Sequence, residues 1–168
     1  MILAVDVSYL RDAAVAAGVL FRNWSDEQPL QEFVKTCRAP DSYIPGQFYR
    51  RELPCLASLL ENIPLVPDFI VIDGFVHLGY KRTPGLGRHL RVLLEEKAIV
   101  IGVAKKPFKD TPQSCELLRG SSRVPLYVTA DGIGEDEAKN LIRSMHGRDR
   151  APTLLRYVDR LSRTPPRS

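Results

Sequence analysis

Cysteine is scarce in this 168-residue sequence, and the three that occur do not form a recognisable set. Cys37, Cys55 and Cys115 are odd in number, far apart, and without a CxxC pair. Disulfide frameworks and zinc cages require paired or closely spaced cysteines. The sequence therefore predicts neither, and we expect a cytoplasmic protein.

Long apolar runs and targeting signals are also missing. No apolar run approaches the roughly 20 residues that cross a bilayer, and the opening stretch "MILAVDVSY" has no basic segment before its apolar residues. We therefore expect neither a membrane protein nor a secreted one. The GxG in "GLGRHL" lacks a third glycine at the right spacing, so a dinucleotide-binding loop is not supported.

The composition is that of one globular domain, with 44% hydrophobic residues and a net charge of +4. We expect a single domain over residues 1–163 and a flexible tail over 164–168. The mild positive charge is compatible with a polyanionic partner, although many proteins without one share it. Nothing in the pattern fixes the oligomeric state, and a monomer is the simplest expectation.

Apolar runs of strand length come first, and strands then alternate with helical patterns. The runs "ILAVDV" and "AAVAAGVLF" predict a hairpin, "PLQEFVKTC" a third strand, and "DFIVIDG", "AIVIGVAKK" and "VPLYVTA" later strands. Apolar stripes predict a helix near residues 86–94 and two more that close the chain. The order indicates an α/β fold with a mixed central sheet, about five strands plus a late strand, flanked by helices.

One predicted helix carries an acidic residue on its apolar face. Its apolar residues recur at three- and four-residue steps from Tyr49 to Leu60, and Glu52 falls on the same stripe. Pro54 is expected in the first turn, where proline is tolerated. A glutamate on an inward face is costly unless a cation is its partner, although it could also cap the helix or pair with Arg50 or Arg51.

Two more carboxylates, Asp6 and Asp73, are expected to close short apolar strands at the carboxyl edge of the sheet, where α/β folds bind ligands. If those strands are parallel neighbours, the carboxylates lie side by side and repel each other unless a cation neutralises them. All-oxygen ligation favours Mg²⁺ or Mn²⁺. Viewed singly, each aspartate is better explained by a turn.

Four stretches in this order resemble the endonuclease V family: "VDVSY", "SYIPGQFYRRELP", "VIDG" and "IGVAKK". Near the C-terminus, "LRYVD" is similar to a further acidic element of that family. The resemblance implies an RNase H-like fold and a metal-dependent endonuclease that cuts a phosphodiester near inosine in single-stranded or duplex DNA or RNA.

The resemblance also implies roles for individual residues. Asp6, Glu52, Asp73 and Lys105 would be catalytic, and the metal, Mg²⁺ or Mn²⁺, would be held by Asp6, Glu52, Asp73 and Asp159. Tyr43 would be a wedge that fills the gap left by a flipped base. Gly46, Gly74, Arg82 and His89 would contact the substrate, within a basic rim that includes Lys81, Arg88 and Arg91.

The sequence departs from the family pattern after Asp73. "DGFVHLGYKRTPGLGRHL" lacks the usual histidine-proline pair, and "YVTADG" lacks a later histidine. Two alternatives therefore stay open: another RNase H-like nuclease that selects nucleic-acid structure, and a nucleic-acid-binding module without catalysis. Asp6, Glu52, Asp73 and Lys105 argue against the second alternative.

Overall fold

The chain opens with an antiparallel meander, seen in a computed structural model that describes residues 1–39 and 47–164. Strand β1 is Ile2–Leu10, β2 is Ala13–Phe21 and β3 is Gln31–Arg38. After its first residue β2 is buried throughout, because it lies between β1 and β3 and is covered on both faces. The predicted hairpin and third strand are confirmed.

Strands and helices then alternate along the chain. In order they are α1 (Tyr49–Leu60), β4 (Phe69–Asp73), β5 (His77–Leu78), β6 (Thr83–Pro84), α2 (Leu86–Leu93), β7 (Ile99–Ala104), β8 (Glu116–Leu117), β9 (Leu126–Asp131), α3 (Glu135–Ser144) and α4 (Thr153–Arg163). None of these helices is long and apolar enough to cross a membrane.

Within residues 1–39 and 47–164, the main sheet has seven strands in the order β3-β2-β1-β4-β7-β9-β8. Strands β1, β4 and β7 run parallel in its centre, and the other neighbours are antiparallel. The predicted RNase H-like mixed sheet flanked by helices is confirmed. Strand β8 and the separate β5–β6 hairpin were not predicted, because two-residue strands are too short to show a periodic pattern.

Helices cover both faces of the sheet. Because successive strand residues point to opposite faces, Leu3 lies in a core with helices α1 and α2, whereas Ala4 lies in a core with α3 and α4. Leu56 of α1 and Ile142 of α3 are fully buried in these two layers. The edge of the sheet beyond Asp73 is thus bordered by helix α1 on one face and helix α4 on the other.

Two details of the sequence prediction are wrong. Asp6 does not close a strand: β1 continues to Leu10, because residues beyond Asp6 stay paired with β2 after the β4 ladder has ended at Val5↔Ile72. Pro54 lies in the second turn of α1, not the first, because the helix already begins at Tyr49. Its ring removes one backbone donor from the helix.

Candidate functional site

The parallel pairing of β1 and β4 places two carboxylates side by side. The register joins Val5 to Ile72, so the next residues, Asp6 and Asp73, are neighbours at the point where the β4 ladder stops. The condition stated from the sequence, that the two strands be parallel neighbours, is therefore met. Asp73 remains 37% exposed in its side chain, so this edge of the sheet is open to solvent.

Helix α4 brings a third carboxylate to the same place. Asp159 packs over β1, and one oxygen from each of Asp6, Asp73 and Asp159 lies within 4.8 Å of the others. We call these three residues the acidic cluster. Three hard oxygen ligands at this spacing fit one small divalent cation, with Mg²⁺ and Mn²⁺ the natural candidates.

The acidic cluster is short of positive charge. Burial, together with the charges of Asp73 and Asp159, raises the pKa of Asp6 above its ordinary value, against the hydrogen bond from Ser162. Burial likewise raises the pKa of Asp73, although Lys105 acts in the opposite direction. Carboxylates in this state bind a proton or a metal ion more readily than ordinary ones. The electrostatics therefore fit the proposed ligand set.

Lys105 follows directly after β7 and reaches into the acidic cluster. Its Nζ lies 3.4 Å from Asp73 Oδ2 and 3.8 Å from Asp159 Oδ1. Its side chain is 43% exposed, so the ammonium group also faces solvent. Arg163 is the second nearby cation, with Nη2 2.9 Å from Asp159 Oδ1. One face of Lys105 is thus anchored while the other remains available to an anion.

Glu52 lies next to the acidic cluster without being one of its three members. It is partly buried on the face of α1 that also carries Cys55 and Leu56, as the helical periodicity predicted. Burial and the charges of Asp6 and Asp73 raise the pKa of Glu52 to about 8. Its carboxyl group therefore holds a proton at neutral pH unless a cation arrives nearby.

Two hollows meet at this site. A cavity of about 20 Å³ is lined by the acidic cluster and Lys105, which is room for about one water-sized particle. A larger cleft of about 380 Å³ opens beside it and shares Asp73. Its walls are mostly apolar, and we call it the main cleft; its lining includes Phe48, Tyr49, Glu52, Asp73, Gly74, Phe75, Leu78, Leu86, Lys106 and Phe108.

Of the other residues that the resemblance assigns to substrate binding, Gly74 and His89 lie at or beside the main cleft. Gly74 lines the main cleft with φ 143°, and apart from its chain neighbours no atom of the described residues lies within 4 Å of the position that a Cβ would occupy. His89 stacks on Tyr49, with ring centroids 3.7 Å apart, beside the cleft. Burial and the charges of Arg50 and Arg88 lower the pKa of His89. Tyr43 and Gly46 lie outside the described residues.

The predicted basic rim is only partly correct. Arg82 forms an ion pair of 2.9 Å with Glu135, and Arg88 and Arg91 bind Asp131 at the far end of β9. Arg88 and Arg91 therefore join helix α2 to the sheet, and Arg82 joins the β5–β6 hairpin to α3. The exposed cations that border the clefts are Lys81, Lys105, Lys106 and Lys109.

Sequence reasoning missed Ser162, which is fully buried under the acidic cluster. Its hydroxyl lies 2.5 Å from Asp6 Oδ2, to which it donates, and its carbonyl accepts a hydrogen bond from Ser8. The signal was present, because Leu154, Val158 and Ser162 recur every four residues on the buried face of α4. A serine at the end of an apolar stripe marks a polar neighbour across the interface.

The chain is similar to known endonucleases V over most of its length. The family model described as Endonuclease V matches residues 1–146. The Endonuclease V of Streptomyces coelicolor is 35% identical over 135 residues, which cover 79% of this chain and 56% of the relative. That of Desulfurococcus amylolyticus is 34% identical over 138 residues, covering 80% and 61%. The chain thus spans somewhat more than half the length of these relatives.

Solved structures agree with this assignment. The crystal structure of an Endonuclease V from Streptomyces avermitilis superposes with a TM-score of 0.77 at 28% identity, covering 96% of this chain and 79% of the other. The family match covers more than half of the chain and includes β1, α1, β4 and β7, the elements that carry Asp6, Glu52, Asp73 and Lys105. This chain therefore belongs to the endonuclease V family.

Proposed function

We propose that this protein is a metal-dependent endonuclease that hydrolyses a phosphodiester near inosine in DNA or RNA. The observation that carries the proposal is the convergence of Asp6, Asp73 and Asp159 within 4.8 Å beside the main cleft, which shares Asp73 with the cluster. Three strands or helices that are remote in sequence supply these groups. A stable fold without such a function has no reason to gather unneutralised carboxylates.

The acidic cluster would hold Mg²⁺ or Mn²⁺, and Glu52 would approach from α1 as a further ligand. A bound divalent cation stabilises charge on phosphate oxygens and lowers the pKa of water. The raised pKa values of Asp6, Asp73 and Glu52 support this role, since a cation removes the repulsion that raises them. Ser162 would keep Asp6 oriented through its hydrogen bond.

Lys105 would act on the phosphate. Its ammonium group is fixed beside Asp73 and exposed on its other side, so it can donate a hydrogen bond to a phosphate oxygen as negative charge grows in the transition state. Asp73 and Asp159 hold the ammonium group of this lysine in position. Lys106, on the wall of the main cleft, would contact a neighbouring phosphate.

The main cleft would receive the altered base. Its aromatic and aliphatic walls suit a flat nucleobase that has left its stack, and Gly74 lets the main chain approach the ring edge. An Endonuclease V of Ciona intestinalis has been solved with a 23mer DNA that contains an inosine followed by a ribo-adenosine. That complex supports an inosine-containing strand as the substrate here. The wedge role of Tyr43 and the pocket role of Gly46 remain part of the proposal.

Matched oligonucleotides test the proposal. Single-stranded and duplex DNA and RNA, each with one inosine or with adenosine in its place, are incubated with the protein and Mg²⁺, Mn²⁺ or a chelator. We expect cutting only of inosine strands and only with a divalent cation. Cutting that follows branches or mismatches regardless of inosine would favour a structure-selective nuclease, and binding without cutting would favour a module without catalysis.

A further inference from the structure

A second cleft adjoins the main cleft and has no part in the function proposed so far. It has a volume of about 310 Å³ and shares Leu78 and Phe108 with the main cleft. We call it the hairpin cleft, because the β5–β6 hairpin forms one wall and residues 108–110 form the other. Because the two clefts share Leu78 and Phe108, a nucleic-acid strand that leaves the main cleft can continue directly into the hairpin cleft.

The lining of the hairpin cleft combines an exposed aromatic ring with basic groups. Tyr80 is 65% exposed, which is a large ring for a protein to leave in water. Lys81 and Lys109 line the same cleft, and within residues 1–39 and 47–164 neither forms an ion pair with a carboxylate. Asp110 is the one acidic group among the described residues of the lining. Aromatic rings between cations are typical of surfaces that stack single-stranded nucleic acid.

The two walls are fixed relative to each other before any ligand binds. Gly79 has φ 65°, and a Cβ there would lie 3.3 Å from the carbonyl oxygen of Lys109, so the hairpin turn packs directly on the opposite wall. The Arg82–Glu135 ion pair ties the hairpin to α3. Thr111 bonds both the N–H and the carbonyl of Phe108 and holds the second wall. The hairpin cleft is therefore a formed surface whose ordering cost is already met.

We propose that the hairpin cleft binds the unpaired nucleotide that neighbours the base held in the main cleft. Its base stacks on Tyr80, its phosphate contacts Lys81 and Lys109, and Asp110 accepts a hydrogen bond from a base amino group or a sugar hydroxyl. This inference rests on the proposed function for the path of the strand. It adds a subsite that reads single-stranded character beside the altered base.

Binding of a single-stranded inosine oligonucleotide, followed by fluorescence anisotropy, tests the stacking role. We expect Tyr80→Ala to raise Kd and KM about tenfold with kcat nearly unchanged, because one stacked base is lost. Tyr80→Phe keeps the ring and should stay within about twofold of the parent. Val66→Ala removes an exposed apolar side chain before β4, at the opposite end of that strand from Asp73, and serves as the control.

The salt dependence of binding tests the lysines. Losing two phosphate contacts from a single strand should reduce the slope of log K against log salt by about 1.4, so we expect this change in a Lys81→Ala/Lys109→Ala variant. Lys97 precedes β7, at the opposite end of that strand from Lys105. The control variant Lys97→Ala should therefore leave the slope unchanged. An unchanged slope in the double variant would contradict the phosphate contacts.

A fluorescent base separates this inference from the proposed function. 2-Aminopurine is placed one or two nucleotides from inosine on either side, and its quenching on binding is compared between the parent and Tyr80→Ala. Loss of quenching at one position supports the subsite, even if the parent protein does not cut. If the parent and Tyr80→Ala quench 2-aminopurine equally at each of the four positions, and the parent cuts normally, the subsite is overturned and the proposed function stands.

Discussion

The two ends of the central sheet hold acidic side chains in opposite electrostatic settings. Asp131, at the end of β9, accepts a hydrogen bond of 2.7 Å from Arg88 and lies 3.4 Å from Arg91. Burial alone would raise the pKa of Asp131, but the two arginines lower it below its ordinary value. In the acidic cluster at the other end, burial and mutual repulsion raise the pKa of Asp6 and Asp73 despite Lys105.

The two ends differ in how well their carboxylates are neutralised. Asp131 is paired with cations of the fold, whereas the described residues leave the acidic cluster only partly neutralised. Asp131 joins α2 to the sheet through two planar guanidinium groups, and its charge is matched. Among the described residues, the acidic cluster and Glu52 place four carboxyl groups near three cations, Lys105, Arg163 and Arg51. Strong pKa shifts that are not compensated within the fold mark a functional site more reliably than acidic residues as such.

The largest expected contrast between the two ends is in catalysis. Asp73→Asn removes a cation ligand and the partner of Lys105, and we expect cleavage of an inosine oligonucleotide to fall about 1000-fold or more, the scale of several kcal/mol of lost charge stabilisation. Binding of the oligonucleotide should be retained. Asp131→Asn should keep cleavage within a few-fold of the parent. Single-turnover rates measure both, and equal losses would remove the distinction between the two ends.

Divalent cations should stabilise only the end that lacks positive charge. At a concentration 100 times its Kd, Mg²⁺ or Mn²⁺ should raise the free energy of unfolding by about 2.7 kcal/mol. Thermal unfolding with chelator or with cation measures the gain. We expect Asp159→Asn to lose most of it, whereas Asp136→Asn, a nearly fully exposed carboxylate on α3, should keep it. A full gain in Asp159→Asn would exclude that residue as a ligand.

Glu52 should make the stability of the cation-free protein depend on pH. The folded pKa of about 8 lies above the ordinary value of 4.5. Its contribution to folding is therefore fully present below pH 4.5 and is lost as the pH rises to about 8, because over this range the unfolded chain releases the proton of Glu52 while the folded protein keeps it. After allowance for solvent screening, we expect a loss of about 2 kcal/mol between pH 5 and 8.5.

Urea unfolding in chelator, followed by the fluorescence of Trp24, measures this dependence. Trp24 is the sole tryptophan and packs edge-on against Phe69, so its emission reports the folded core. Glu52→Gln should flatten the decline between pH 5 and 8.5, whereas Glu61→Gln at the exposed end of the same helix should follow the parent. A parent protein with equal stability at both pH values would show that Glu52 titrates normally.

Much of the fold could be predicted from sequence because its strands are long and apolar. Strand β2 is one continuous apolar run, which made the sheet predictable. Strand β4 ends at Asp73 and β7 ends just before Lys105, so the edge of the sheet that carries the acidic cluster could be predicted as well. The inward position of Glu52 followed from helical periodicity alone. Strands β5, β6 and β8 were not predictable, since each has two residues and depends on a partner elsewhere.

The partners of the arginines could not be predicted from local pattern. Arg82 and Arg88 looked like parts of one basic rim because they are close in sequence. Their carboxylate partners, Glu135 and Asp131, lie 53 and 43 residues away and come near only when α3 and β9 are in place. The placement of Asp159 had the same limit, because it depends on how α4 packs over β1. Sequence indicated which residues carry charge, and the topology decided which charges are matched.

The smallest contrast is in stability without divalent cations, and its sign distinguishes the two ends. Asp131→Asn removes the carboxylate that pairs with both Arg88 and Arg91, and we expect the free energy of unfolding to fall by about 1 kcal/mol, since these pairs are partly exposed. Asp73→Asn removes a charge that repels Asp6 and Asp159, so the same quantity should stay constant or rise by about 0.5 kcal/mol. Urea titrations in chelator at neutral pH measure both variants. Destabilisation of Asp73→Asn as large as that of Asp131→Asn would mean that Lys105 already neutralises the acidic cluster, and the case for a bound cation would lose its electrostatic basis.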